Sequence, residues 1–324
     1  MGSKLDIQKE ILEQKNYAQD IIRRKYLRTL ANYTGNDTIL YSSGYLSPKP
    51  IPAVLYMISN SDVQGFMCAL KGLNEAKDKK LDLIIHSPGG SPEATDQLVH
   101  YLRGKYSYIR VIVPENAMSA ATMLCCAADE IVMGKHSAIG PIDPQFFFGD
   151  GQSCAAQVIL DEFERAKADI AANQTSAHLW VQKFKDYPKG ILTSCQRAID
   201  LSVDMVAGWL DAYMLKGLDV TNFLSGRTIF NNFQKPPRGQ TPGYYVATWL
   251  GDARIHKTHG RPIGIDLAKA MGLKVSALED DQKFQDMVLN VFHSMLVTHE
   301  ISDCAKFIEN HNGIGHYLNI QMNH

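Results

Sequence analysis

The chain has 324 residues, 45% of them hydrophobic and 21% charged, enough for one large domain or for one domain with an appendage. A formal net charge of −1 gives no field that would attract nucleic acid, so no nucleic-acid partner is predicted. No apolar run approaches the roughly 20 residues that span a bilayer. The start is polar, and the six cysteines form no CxxC pair, so a cytoplasmic protein without a disulfide framework is expected.

Residues 1–32 are predicted to form an N-terminal amphipathic helix, because apolar side chains recur at helical spacing in a charged background. Charges of both signs are interspersed along it, which favours packing on the body of the protein or on a partner subunit. Peripheral contact of this stripe with a membrane surface stays open as an alternative.

Residues 33–220 alternate short apolar runs with helical patterns. Strands are predicted at Ala53–Ile58, Leu81–His86, Tyr108–Val113 and Glu130–Met133, and helices at Ser61–Lys77, Pro92–Arg103 and Ser119–Ala128. Strands separated by helices of this length require right-handed parallel crossovers. We therefore expect an α/β core with a buried parallel sheet and βαβ crossovers, whose ligands collect at the carboxyl ends of the strands.

After Gln145 the pattern becomes mainly helical. Helices are predicted near Ala155–Ala172, Ser176–Phe184, Cys195–Leu215 and Asp280–Glu300, with a Gly/Pro-rich stretch over Asn222–Gly243 and a tail over His311–His324. Residues 221–324 are accordingly predicted to be a C-terminal extension that packs on the core. Apolar stripes on the first and last helices exceed what a single core readily absorbs, which predicts a homo-oligomer.

Two neighbouring strand-to-helix turns carry residues suited to chemistry, and the first is His86–Gly90. Paired glycines let the backbone approach a ligand closely and aim N–H groups at it, so Gly89 is predicted to contact substrate. Such N–H groups, with a helix N-terminus behind them, would stabilise a developing oxyanion. A plain tight turn explains the glycines equally well, and no GxGxxG or GxxxxGK[ST] phosphate motif is present.

The second turn lies one βαβ unit later and places Ser119 at the start of an apolar helix. A serine in that position is most often only an N-cap. Here Ala120 and Ala121 follow it and leave room for close approach, and the two turns should be neighbours on one rim of the sheet. A nucleophile and oxyanion donors that face one pocket provide the geometry of acyl transfer.

The segments SPGG and AMSAATM, followed by AADEIVMGKHSAIGPIDPQ, resemble the Clp-protease and signal-peptide-peptidase-A group. They are more closely similar to its serine dehydrogenase proteinase branch, strongly over residues 23–167 and again in HKTHGRPI, LEDDQ and FIENHNG. The resemblance implies a Clp/crotonase-type fold and a serine peptidase acting on protein or peptide substrates. It also implies Ser119 as nucleophile, with the N–H groups of Gly90 and Ala120 as the oxyanion hole.

The general base is where the sequence departs from the Clp pattern, because Ile142-Asp143-Pro144 stands where those proteases carry a histidine. Similarity to signal peptide peptidase A implies a lysine further along, and Lys167 lies at a comparable distance. Lys167 would have to be desolvated to accept the serine proton, whereas pairing with Glu164 would make it an ordinary solvated charge. Asp143 could orient a base or a substrate amine. Reserve candidates for the base are Lys135, His136, His259 and His86, for whose histidines structural or surface roles are the more common explanation.

Two alternatives to a peptidase remain at this stage. A crotonase-type acyl-CoA enzyme would use paired N–H donors on a thioester enolate and would need no serine nucleophile. A non-catalytic scaffold would keep the fold and lack the base. No cofactor is predicted and no metal either, since the spaced pairs His256/His259 and His311/His316 have no third partner at ligand spacing.

Overall fold

The computed structural model describes Ile7 and residues 18–73, 80–149, 152–233 and 237–320. A seven-stranded sheet runs through the molecule. In chain order its strands are β1 (Asp37–Ser43), β2 (Lys80–His86), β3 (Tyr108–Val113), β5 (Glu130–Met133), β9 (Val275–Ala277), β10 (Cys304–Asn310) and β11 (Gly315–Asn319). They lie in the order β11-β10-β1-β2-β3-β5-β9. The five strands from β1 to β9 are parallel, and β10 and β11 are antiparallel to their neighbours.

Two small strand pairs lie outside this sheet: β4 (Asn116–Ala117) with β6 (Ala138–Ile139), and β7 (Gln145–Phe147) with β8 (Ser153–Ala155). The helices are α1 (Ala18–Thr34), α2 (Ser61–Ala69), α3 (Pro92–Arg103), α4 (Ala120–Cys126), α5 (Ala156–Ala172), α6 (Ala177–Phe184), α7 (Ile191–Ala212), α8 (Val220–Leu224), α9 (Pro242–Gly251), α10 (Ala253–His256), α11 (Ile265–Ala270) and α12 (Gln282–Ile301). In the described segments, none of them is both long and apolar enough to cross a bilayer.

Helices cover both faces of the sheet, as expected where buried parallel strands are apolar on both sides. Successive side chains of β2 show the alternation: Ile84 packs with α1 and α12, whereas Leu83 and Ile85 pack with the helices of the opposite layer. That opposite layer contains α2, α3, α4, α7 and α9. The predicted α/β fold with a mainly parallel sheet is confirmed.

One strand was assigned to the wrong segment. Ala53–Ile58, predicted as a strand, begins with a short 3₁₀ turn whose Val54 is 66% exposed, which a strand inside a parallel sheet would not be. The strand beside β2 is instead β1, which ends in polar residues and so lacks the apolar pattern of a central strand. Those residues are buried with partners: Tyr106 donates to Asp37, and Ser43 donates to the carbonyl of Tyr56.

The C-terminal region is part of the sheet rather than a layer packed on it. β10 and β11 extend one edge beside β1, and β9 extends the other beside β5. The predicted tail over His311–His324 therefore contains β11, and residues 321–324 lie outside the described part. The boundaries at residues 32 and 220 stay a prediction.

The predicted terminal helices correspond to α1 and α12, which pack on each other. The predicted N-terminal helix extends over residues that lie largely outside the described part, and its described portion begins at Ala18. The apolar stripe of α12 is buried against α1 and the sheet, including Val288, Val291 and Met295. This stripe is absorbed within one chain and so gives no support to the predicted homo-oligomer.

Candidate active site

The two turns singled out in the sequence are neighbours at the carboxyl ends of β2 and β3. The Ser87 N–H donates to the carbonyl of Asn116 at 3.0 Å, and the Met118 N–H donates to the carbonyl of Ser87 at 3.0 Å. These bonds join the glycine turn to the serine turn as a short parallel ladder. The expected adjacency on one rim of the sheet is therefore present.

Ser119 has a strained backbone. Its φ of +51° and ψ of −119° lie in a region that residues with a Cβ rarely adopt, at a cost of about 1–3 kcal/mol. It precedes α4, but its side chain makes no capping hydrogen bond, so an N-cap role does not explain it. The turn is held by the Met123 N–H, which donates to the Ser119 carbonyl, and by the Thr122 hydroxyl, which donates to the carbonyl of Ala117.

The glycine turn lies directly against this serine. A Cβ on Gly89 would lie 2.7 Å from the Cβ of Ser119 and 2.9 Å from the Ala120 nitrogen. Gly89 and Gly90 have φ values of +97° and +156°, where a side chain would also strain the backbone. Within the described residues, neither the Gly90 N–H nor the Ala120 N–H donates a backbone hydrogen bond. Gly90, Ser119 and Ala120 line one cavity.

A cavity of about 520 Å³ opens in front of these turns. Gly90, Ser119 and Ala120 are part of its lining and are called the first wall below, and Asp143 and His259 are also part of its lining and are called the second wall. The rest of the lining is largely apolar and includes Met57, Met123, Ile142, Pro144, Phe146, Phe147 and Ala198. Its size and lining suit a peptide side chain.

The second wall contains a histidine–carboxylate pair. His259 Nδ1 lies 2.8 Å from Asp143 Oδ1, and the side chain of Asp143 is only 3% exposed while that of His259 is 30% exposed. The second carboxylate oxygen accepts a 2.6 Å hydrogen bond from Gln145 Nε2. With Nδ1–H donating to Asp143, the tautomer of His259 leaves Nε2 as a proton acceptor.

Both residues of this pair are anchored to α9. The Ile142 N–H, next to Asp143, donates to the Leu250 carbonyl at 2.9 Å. His259 follows α10, where the ring of His256 bonds the Trp249 carbonyl through Nε2 at 2.8 Å. Burial lowers the pKa of His256, which keeps this ring neutral. A two-way backbone bridge between Ile139 and Ile263 then closes the loop that presents His259.

The sequence matches the ClpP-like SDH-type serine proteinase family over residues 12–183, which is more than half of the chain. The chain belongs to this family. The suspected serine dehydrogenase proteinase family is thereby confirmed. The match contains both turns and Asp143, and it ends before His259, so the histidine belongs to a part of the chain that the family match does not cover.

Relatives of this ClpP-like chain include two uncharacterized proteins of Methanocaldococcus jannaschii. One is 35% identical over 157 residues, which are 48% of this chain and 52% of the relative. The other is 41% identical over 99 residues, which are 31% of this chain and 32% of the relative. The chain thus spans about half the length of the first relative and a third of the second.

Lys167 is not placed where a Ser–Lys mechanism needs it. Its side chain is 70% exposed, donates a 2.7 Å hydrogen bond to Glu164, and does not line the cavity of Ser119. Neutralising a lysine requires burial away from carboxylates, and α5 instead directs this one into solvent. The prediction that Lys167 lies desolvated beside Ser119 is therefore wrong.

The other reserve bases have structural partners. His136 Nε2 lies 2.8 Å from the Pro114 carbonyl, and His86 lies between Glu115 and the Ser43 carbonyl. Lys135 is exposed and, like those two histidines, does not line the cavity. Within the described residues, no three His, Cys, Asp or Glu side chains come together to hold a metal ion.

Proposed function

We propose that this ClpP-like chain is a serine peptidase in which Ser119 is the nucleophile, His259 the general base and Asp143 the carboxylate that orients it. The observation that carries the proposal is the 2.8 Å His259–Asp143 pair in the lining of the cavity that Ser119 also lines. In this proposal a Ser–His–Asp arrangement replaces the Ser–Lys arrangement, and Asp143 orients the base.

In the proposed reaction, Ser119 Oγ attacks the peptide carbonyl carbon while its proton passes to His259 Nε2. The carbonyl oxygen takes the negative charge and accepts hydrogen bonds from the N–H groups of Gly90 and Ala120. The C–N bond then breaks, and His259 gives its proton to the leaving amine. A water molecule, deprotonated by His259, hydrolyses the acyl–serine ester and regenerates the Ser119 hydroxyl.

Proteins or peptides are the proposed substrates, because the cavity of about 520 Å³ is largely apolar and can take up a peptide side chain. A crotonase-type enzyme would leave the strained serine and the histidine–carboxylate pair without a purpose. A scaffold that lacks a base is disfavoured by the same pair. Assembly as a homo-oligomer and a cytoplasmic location remain predictions.

Labelling with a fluorophosphonate tests the assignment, because the probe reacts with an activated serine whatever the natural substrate. We expect labelling of the intact protein, its loss in Ser119→Ala, and retention in Ser202→Ala, which removes another serine of the same cavity. Peptide-bond cleavage would be measured on a fluorogenic peptide library. An Ser119→Ala variant that labels and hydrolyses as well as the parent protein would overturn the proposal.

A further inference from the structure

Asp62 and Lys306 form a buried ion pair that the proposed reaction does not use. Lys306 Nζ lies 2.6 Å from Asp62 Oδ1, and the two side chains are 4% and 2% exposed. Taking two charges out of water is costly, and such a pair is often no more stabilising than apolar residues of the same volume. Stability is thus a weak explanation for this pair.

The pair holds the backbone of residues 56–59. Lys306 Nζ donates to the Met57 carbonyl at 2.8 Å, and the Ser59 N–H donates to Asp62 Oδ2 at 3.0 Å. The hydroxyl of Tyr41 donates to the same carboxylate oxygen at 2.9 Å. Two strands and one helix, β1, β10 and α2, therefore converge on this short segment.

A third side chain completes the contact. Ser43, which pairs with Lys306 across β1 and β10, donates to the Tyr56 carbonyl at 2.8 Å. The backbone groups of residues 56, 57 and 59 are thus bound by side chains of the core. The N–H and the carbonyl of Ile58 instead bind the turn that contains Gly90.

Residue 58 pairs with the glycine turn of the proposed oxyanion hole. The Ile58 N–H donates to the Gly89 carbonyl at 2.8 Å, and the Ile58 carbonyl accepts from the Ser91 N–H at 2.9 Å. These two hydrogen bonds hold the backbone of Gly89 and of Ser91, the residues on either side of Gly90. The approach is so close that a Cβ on Gly90 would lie 2.3 Å from the Ile58 oxygen. The direction of the Gly90 N–H is consequently set by the position of Ile58.

We infer that Lys306 and Asp62 are positioning residues for the oxyanion hole. They fix residues 56–59, which fix the turn Gly89–Ser91, and the turn aims the Gly90 N–H at the oxygen that becomes negative. The inference rests on the serine peptidase function proposed above. Because the oxyanion exists only in the transition state, disturbing the pair should lower kcat much more than it raises KM.

The test is the double variant Asp62→Asn/Lys306→Met. It leaves no buried charge unpaired, the amide can still accept from Tyr41 and Ser59, and the methionine removes only the donor to Met57. We expect kcat to fall by about 10- to 100-fold, somewhat less than the 10²–10³-fold cost of deleting an oxyanion donor. KM should stay within about threefold, and the rate of Ser119 phosphonylation should fall in parallel with kcat.

A matched control lies on the same strand. Glu309 of β10 forms an ion pair with Arg23 of α1 in which both side chains are fully buried, and it contacts neither turn. The variant Arg23→Met/Glu309→Gln should lower the melting temperature while leaving kcat and the labelling rate within about twofold. If both double variants lose activity in proportion to their loss of melting temperature, the role of Lys306 is structural and the inference fails.

A milder variant serves if Asp62→Asn/Lys306→Met does not fold. Ser43→Ala removes only the donor to the Tyr56 carbonyl, and we expect a three- to tenfold loss of kcat with an unchanged circular dichroism spectrum. Full kcat in Ser43→Ala, or in a folded Asp62→Asn/Lys306→Met, would overturn the inference while leaving the proposed peptidase intact. If the parent protein is never labelled at Ser119, the proposed function has failed and the inference falls with it.

Discussion

The two walls of the cavity are built in different ways. The wall of Ser119 comes from two consecutive βα turns, joined by backbone hydrogen bonds between residues 87 and 116–118. The second wall brings together Asp143 and His259, which are 116 positions apart, and it depends on their shared anchor α9. The backbone geometry of the first wall therefore depends on residues that are close together in the sequence. The proposed proton relay of the second wall instead depends on tertiary packing between distant residues.

Among substitutions in the two walls, His259→Gln should cause the largest loss of activity. An amide cannot accept and return the serine proton, so we expect kcat/KM to fall by about 10³–10⁴-fold. Fold and melting temperature should change little, because the side chain is 30% exposed. A His259→Gln variant with parental kinetics would exclude this residue as the base.

Asp143→Asn should cost about 10²–10³-fold in kcat/KM, for a reason specific to this site. Gln145 donates to one oxygen of the carboxylate, so an amide would turn its own oxygen towards Gln145 and its NH₂ towards His259. His259 would then be held in the wrong tautomer. Adding Gln145→Leu should recover part of the loss by releasing that oxygen. An equal loss with and without Gln145→Leu would argue against the tautomer explanation.

Gly90→Ala tests the first wall and should lower kcat about 10²-fold. The added Cβ would meet the Ile58 backbone at 2.3–2.4 Å, so the turn must shift and carry the Gly90 N–H with it. Gly35→Ala is the matched control, because Gly35 also has a positive φ, of +70°, but nothing lies within 4 Å of its added Cβ. The control should lose about 1 kcal/mol of folding stability and no activity. If both variants keep full kcat, Gly90 is only a turn glycine.

Lys167→Gln should have the smallest effect, with kcat within about twofold of the parent at every pH. Its exposed contact with Glu164 contributes about 0–1 kcal/mol at most, so the melting temperature should also stay nearly constant. A steady-state pH profile measures this directly. Loss of activity in Lys167→Gln but not in His259→Gln would restore the Ser–Lys mechanism.

The first wall was predictable from sequence, because β2 and β3 are apolar runs and α3 has apolar residues at helical spacing. The two turns follow these strands and are one βαβ unit apart. Ser119 and Gly90 could therefore be placed on one rim. The second wall was not predictable, since nothing local distinguishes His259 from a surface histidine, and its pairing with Asp143 appears only after α9 is folded against the core. Lys167 was favoured by its distance along the chain, which carries no information about the direction of its side chain.

The strand β10 was missed for a related reason. Its sequence, CAKFIEN, contains Lys306 and Glu309 and so has the composition of a surface segment. Both charges are buried, on opposite faces of the strand. Lys306 pairs with Asp62, and Glu309 pairs with Arg23. Strand prediction depends on a periodic pattern of apolar residues. Charged residues interrupt that pattern, and the sequence does not show that distant partners neutralise them. The same pairs explain how such a strand can lie next to β1 inside the sheet.

The order of residues along the chain also has a consequence during synthesis. Ser119 is made 140 residues before His259, an interval of roughly 7–28 s at the usual elongation rates. Even β1, which is completed early, needs β10 to cover its outer edge. For all of that time the nascent chain carries the proposed nucleophile without its proposed base, so the proposed proton relay cannot form until His259 has been made.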